Sequence, residues 1–141
     1  MGEIKHRILI IDDDPDIQEI LKTAFENSRE VVLAYDGMDG LAKIQASEPD
    51  LIILDMQMPK LDGNKVLEAL KHSKANRSTK VIFITAYGSD STEMEFLAKG
   101  ADYFFAKPFN VIELKTRVDE ILQEILPRAK TLSAEDLNNM Q

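Results

Sequence analysis

Five short segments of the chain are apolar with little alternation: Arg7–Ile11, Val31–Tyr35, Leu51–Leu54, Val81–Thr85 and Tyr103–Ala106. That pattern predicts strands buried on both faces, as in a parallel sheet covered by helices. Between them the apolar positions change to helical spacing. Ile17, Ile20, Leu21, Ala24 and Phe25 follow Pro15, a residue suited to the first turn of a helix. Met38, Leu41, Ala42 and Ile44 mark a helix over Gly37–Gln45, and Val66, Leu67 and Leu70 mark another from about Asn64. A polar loop from Ser73 to Lys80 leads into the fourth strand. Ser89–Thr92 offers caps to a helix with apolar positions at Met94, Phe96, Leu97 and Ala98 and a stop at Gly100. After Lys107-Pro108-Phe109, a last helix carries Val111, Ile112, Leu114, Val118, Ile121, Leu122 and Ile125 until Pro127.

Strands alternating with helices predict an α/β fold, and right-handed crossovers leave few topologies. The expected architecture is a doubly wound, flavodoxin-like sheet of five parallel strands in the order 2-1-3-4-5, with five helices. Residues 1–126 form the expected domain, and 127–141 form a C-terminal tail or the start of a linker. Within that tail Ser133 and Asp136 suit the cap of a helix beginning near Ala134, and a disordered tail fits the composition equally well. If the chain is complete, it has no room for a further DNA-binding or catalytic domain.

This topology makes neighbours of strands 1, 3, 4 and 5, which end in Asp12/Asp13, Asp55, Thr85 and Lys107. Open α/β sheets bind ligands outside the carboxyl ends of their strands. Each residue has an ordinary reading by itself: Asp13 or Asp14 as a helix cap, Asp55 in a turn, Thr85 at a strand end, Lys107-Pro108 as a connector. Their convergence on one rim points to chemistry. Three carboxylates within about 5 Å repel by roughly 3 kcal/mol per pair at an effective dielectric near 20. Lys107 offsets part of that, and an oxygen-only donor set without His or Cys suits Mg²⁺. A divalent ion beside an aspartate, with a lysine and a hydroxyl opposite, is an arrangement for phosphoryl transfer to the carboxylate.

Composition narrows the partners. The 141 residues carry a formal charge of −8, which disfavours broad nucleic-acid binding and leaves a basic partner surface as the better fit. The absence of cysteine excludes disulfides and thiolate metal sites and suits the cytoplasm. No apolar run approaches the roughly 20 residues of a membrane span, and the start has no signal-peptide pattern. His6 and His72 stand in polar surroundings without metal-site spacing and are expected to be solvated.

Four segments, ILIIDDDP, LIILDMQMPKLDG, VIFITAYG and GADYFFAKPF, occur in that order across about Arg7 to Leu126. They resemble the motifs of the receiver domains of two-component response regulators. The resemblance implies that Asp55 accepts phosphate from a sensor histidine kinase or a histidine phosphotransfer protein. It further implies that Asp13, Asp55 and the Gln57 backbone carbonyl bind Mg²⁺, with Asp12 acting through water. Thr85 would contact the phosphoryl group, Lys107 would bind its oxygen, and Phe104 falls at the switch aromatic. The Lys107-Pro108 bond is expected to be cis. On this reading the chain is a signalling module, not a metabolic enzyme, with a downstream protein partner or a phosphorylation-dependent dimer. An alternative is a haloacid-dehalogenase-like phosphatase using Asp12 and Asp14, followed by Thr85 and Lys107. Its second acidic site should follow the lysine, where Asp119 and Glu120 instead fall inside the predicted last helix.

Overall fold

A computed structural model of the chain describes residues 4–86, 94–95 and 97–140. Five strands, β1 (Arg7–Ile11), β2 (Glu30–Ala34), β3 (Leu51–Asp55), β4 (Lys80–Thr85) and β5 (Tyr103–Ala106), form one parallel sheet in the order β2-β1-β3-β4-β5. The doubly wound topology read from the apolar runs is the one found. β1 and β3 are buried throughout, as unalternated apolar strands at the centre of a two-sided sheet must be.

The pleat divides the core in two. Leu9, Ile11, Ile52, Leu54, Val81 and Phe83 point to the side covered by α2 (Gly37–Ser47) and α3 (Gly63–Lys71). Ile8, Ile10, Leu51, Ile53, Ile82 and Ile84 point to the side covered by α1 (Pro15–Phe25) and α4 (Val111–Gln123). Residues 94–95 and 97–98 are also helical, and Gly100, at φ 107°, ends that turn where a residue with a Cβ would be strained. The expected caps at Ser89–Thr92 and the apolar Phe96 lie outside the described residues. The Lys107-Pro108 bond is cis.

Several sequence expectations shift. β2 begins and ends one residue early: the Glu30 amide already donates to the His6 carbonyl, and the ladder to β1 closes where the Asp12 amide donates to the Ala34 carbonyl. Ile20, Met38, Ala42 and Ile112 sit at helical apolar spacing yet face solvent, so the buried stripe is narrower than the sequence implies. His6 is not simply solvated: its Nε2 lies 2.7 Å from the Ile125 carbonyl oxygen and its Nδ1 3.3 Å from Arg29, which pairs with Asp119.

Residues 127–140 pack back against the sheet. Asp50, buried at the start of β3, accepts from the Arg7 and Arg128 amides at 2.7 and 2.8 Å and from Lys130 Nζ at 3.0 Å. Arg128 also donates to Pro49, Ala75, Asn76 and Thr79, and Arg7 donates to the Leu132 carbonyl. A short helix, α5 (Ala134–Asn138), follows, capped by Ser133, and places Leu137 with no exposed surface in the core beside α2 and β2.

Candidate functional site

At the carboxyl rim of the sheet, Asp12 follows β1 and Asp55 ends β3, each 2% exposed, while Asp13 is exposed. One carboxylate oxygen from each of the three lies within 4.8 Å of the others. The two buried carboxylates are held alike. Asp12 Oδ1 accepts from the Asp14 amide at 2.8 Å and Asp55 Oδ1 accepts from the Gln57 amide at 3.2 Å. Each presents Oδ2 to Lys107, whose Nζ stands 3.4 Å from both. Lys107 is placed by β5, and its amide donates to the Thr85 carbonyl at 2.7 Å.

The electrostatics follow from this packing. Burial pushes the Asp12 carboxyl above its ordinary value, against the Asp14 amide and the Lys107 charge. Burial, then the neighbouring Asp12 charge, push Asp55 up to about 6, with the Gln57 amide and Lys107 opposing. Two buried carboxylates sharing one ammonium are poorly neutralised at neutral pH. The site is poised for an added positive charge or for loss of one negative charge.

Thr85, 1% exposed, ends β4 one position beyond the residue paired with Asp55 and opposite Ala106 on β5. Phe104 is half-buried, pairs in register with Phe83 and packs into the core beside α2 and α3. Tyr103 points to the other face, where it meets Phe105 at 5.2 Å between ring centroids and lies under the Arg117 guanidinium at 4.3 Å. Asp14 does not face the acidic cluster: it caps α1 by accepting from the Asp16 amide at 2.9 Å. An open cleft of about 430 Å³ borders the cluster, lined by Asp13, Gln57, Met58, Pro59, Asp62 and Asn64 among others.

Two supports were not read from the sequence. Gln18, 1% exposed on α1, donates its side-chain amide to the carbonyls of Ile10, Asp12 and Ala34 at 3.2, 3.0 and 2.6 Å, tying the ends of β1 and β2 beside Asp12. The loop leaving Asp55 is fastened to α2: Lys60, at φ 71°, pairs with the capping residue Asp36 at 3.2 Å, and Leu61 lies against Gly37. A glutamine at helical spacing and a glycine before a helix carry no signal of either role.

The family sequence model for the response regulator receiver domain matches residues 8–119. The chain belongs to that family. It is 37% identical over 118 residues to the DNA-binding dual master transcriptional regulator RpaA of Synechocystis, an alignment covering 83% of this chain and 49% of that protein. The chain spans about half the length of this relative and of two further curated relatives it matches. Among solved structures, the receiver domain of Francisella response regulator 1452 superposes with a TM-score of 0.78 at 35% identity, covering 84% of this chain and 98% of that one. A signal receiver domain from Vibrio parahaemolyticus gives 0.79 at 29% identity and covers 97% of this chain and 99% of that one. Receiver domains are phosphorylation-switched signalling modules and not metabolic enzymes. The haloacid-dehalogenase-like alternative is not supported, since family membership points elsewhere and Asp14, its second motif carboxylate, is spent on a helix cap.

Proposed function

We propose that this receiver accepts a phosphoryl group on Asp55 from a phosphohistidine of a sensor histidine kinase or histidine phosphotransfer protein. The observation that carries the reading is the convergence of three carboxylates and one ammonium about Asp55. An Asp55 carboxylate oxygen attacks phosphorus, an O–P bond forms, and the P–N bond breaks. The donor imidazole, protonated on its other ring nitrogen, leaves with the electron pair as neutral histidine. Lys107 pairs with a phosphoryl oxygen and the Thr85 hydroxyl approaches another, while Phe104 turns inward to fill the space Thr85 vacates.

The residues present fit Mg²⁺. The donors are all oxygen, and buried Asp12 Oδ2 has the long 3.4 Å ion pair to Lys107 but no close hydrogen bond. Asp13, Asp55 and the Gln57 carbonyl would hold the ion, with Asp12 acting through water. When bound, it supplies positive charge that stabilises the phosphoryl oxygens during transfer.

The response is read on the face built by residues 94–95 and 97–99, β5 and α4, where Lys99, Glu113 and Arg117 are polar and bind a downstream protein or a second copy. The chain works in the cytoplasm, where such kinases present their phosphohistidine. No helix of the described residues is long and apolar enough to cross a membrane. Treatment with acetyl phosphate and Mg²⁺ followed by peptide mass spectrometry tests the assignment. One phosphoryl group is expected on the Asp55 peptide and none on Asp55→Asn; undiminished modification of that variant overturns it.

A further inference from the structure

β2 lies at the edge of the sheet, and several of its outward backbone groups end on side chains instead of on a strand. Glu30 and Ala34 bond to the β1 side, since the Glu30 amide donates to His6 and the Ala34 carbonyl accepts from Asp12. Val31 and Leu33 therefore turn their peptide groups outward. The Val31 carbonyl accepts from Asn138 Nδ2 at 2.9 Å, and the Leu33 amide donates to Asn138 Oδ1 at 2.8 Å. The Leu33 carbonyl accepts from Lys43 Nζ at 2.5 Å, and the Tyr35 amide donates to Asp39 Oδ2 at 3.3 Å. In a parallel ladder, one residue of the added strand donates to the carbonyl before its partner and accepts from the amide after it. The Asn138 side-chain amide makes that pair of bonds about Val32. It stands in for a strand.

Asn138 is placed there by the arm that carries it. Leu137, with no exposed surface, anchors α5 between α2 and β2. The Asp50–Lys130–Arg128 network fastens the stretch before it. An edge strand with unpaired outward groups is a template for another strand, and short polar covers are one way such edges are blunted. A β2 edge is self-complementary across a two-fold axis, where it meets its own copy antiparallel.

We propose that residues 133–140 hold closed an interaction surface, the outer edge of β2, and that its partner on release is the same edge of a second copy of this chain. The surface is separate from the acidic rim and from the β5–α4 face, and it works without phosphate.

The test uses the full chain, unphosphorylated and without Mg²⁺. Asn138→Asp keeps the acceptor for Leu33 but faces the Val31 carbonyl with a carboxylate, and Leu137→Ala loosens the anchor. Hydrogen exchange at the Leu33 amide should quicken by about tenfold or more in the double variant at low concentration. At high concentration the amide should regain protection as sedimentation shows a dimer. Adding Leu33→Pro, which removes the outward N–H from an edge strand, should return a monomer. Asn138→Asp alone leaves the anchor in place and should show the faster exchange in a chain whose circular dichroism matches the parent. Unchanged Leu33 exchange in both variants, a monomer at all concentrations, or a dimer that survives Leu33→Pro overturns the proposal.

Discussion

Asp55 Oδ2 lies 3.4 Å from Lys107 Nζ, yet the Asp55 carboxyl titrates near 6, above its ordinary value. An ion pair at that distance ordinarily favours the charged form. Here the same ammonium also serves Asp12 at 3.4 Å, and both carboxylates are nearly devoid of solvent. Loss of hydration and mutual repulsion outweigh one shared cation. The metal-free receiver is therefore destabilised by the group proposed to carry its chemistry.

The sign of the pH dependence follows. Because the folded carboxyl holds its proton more tightly than the unfolded one, Asp55 contributes stability that is fully present below the unfolded value of 3.8 and lost as pH rises through about 6. Asp12, also raised, acts in the same direction. In chelator at pH 7.5, Asp55→Asn should raise the Tm, with a gain in stability of at most about 3 kcal/mol. The gain should shrink toward pH 4. A Tm difference that is absent at pH 7.5, or that grows on acidification, would contradict this account.

Lys107→Ala removes the ammonium that both carboxylates share. Metal-free stability at pH 7.5 should fall by about 1–3 kcal/mol, the scale for hydrogen bonds to charged groups. Mg²⁺ should recover more Tm in this variant than in the parent, since it replaces a missing charge. Thermal denaturation with and without Mg²⁺ reads both quantities, and equal metal responses in the two proteins would count against charge balance as the cause.

A Cβ built on Gly37 would stand 2.1 Å from the Leu61 carbonyl oxygen and 2.9 Å from its carbonyl carbon. Backbone cannot yield as a side-chain tip does, so Gly37→Ala must separate α2 from the loop leaving Asp55. A cost of about 1–3 kcal/mol is expected, with slower phosphorylation by acetyl phosphate because the loop carries Gln57. The three atoms nearest a Cβ on Gly40 all belong to the Ile11 side chain, the closest at 2.8 Å, so Gly40→Ala should cost less. Denaturant melts of the two variants give the order, and the reverse order would refute the argument.

The strands were legible because buried parallel strands need uninterrupted apolar runs, and Leu51–Asp55 is one ending in the acceptor. The convergence of Asp12, Asp13, Asp55 and Lys107 was legible because strand order alone brings those ends together. What escaped reading depends on contacts distant in sequence. Asp50 meets Lys130 across 80 positions, and nothing near either residue announces the other. Leu137 is a lone apolar residue among polar ones, too little for a periodicity to register. Met38 and Ile112 mislead in the opposite sense, matching helical spacing while remaining 56% and 76% exposed. Periodicity marks a face of a helix and does not say how much of that face another element covers.

Arg117 stacks over Tyr103 and pairs with Glu120 at 3.2 Å on the face proposed to carry the response. Arg117→Glu reverses its charge without touching the acidic rim. Phosphorylation by acetyl phosphate should proceed at nearly the parent rate, while any phosphate-dependent self-association measured by sedimentation should change. Loss of phosphorylation with unaltered association would mean that the face had been misassigned.

Asp50 offers the contrasting case to Asp55, since both are buried aspartates and the expected effects have opposite signs. Asp50 accepts two backbone amides and the Lys130 ammonium, and its charge is matched where it sits. Burial lowers the Lys130 pKa, with Asp50 opposing that shift, so removing the carboxylate leaves an amine that is costly to keep charged. Asp50→Asn retains an acceptor for one amide and loses the partner of Lys130, and should cost about 3 kcal/mol, at the lower end for breaking a buried pair. Adding Lys130→Met to Asp50→Asn removes the orphaned charge and should restore part of the loss. Thermal melts at pH 7.5 compare these variants with Asp55→Asn. If both single asparagine substitutions shift the Tm in the same direction, the division between a matched structural carboxylate and a strained functional one is wrong.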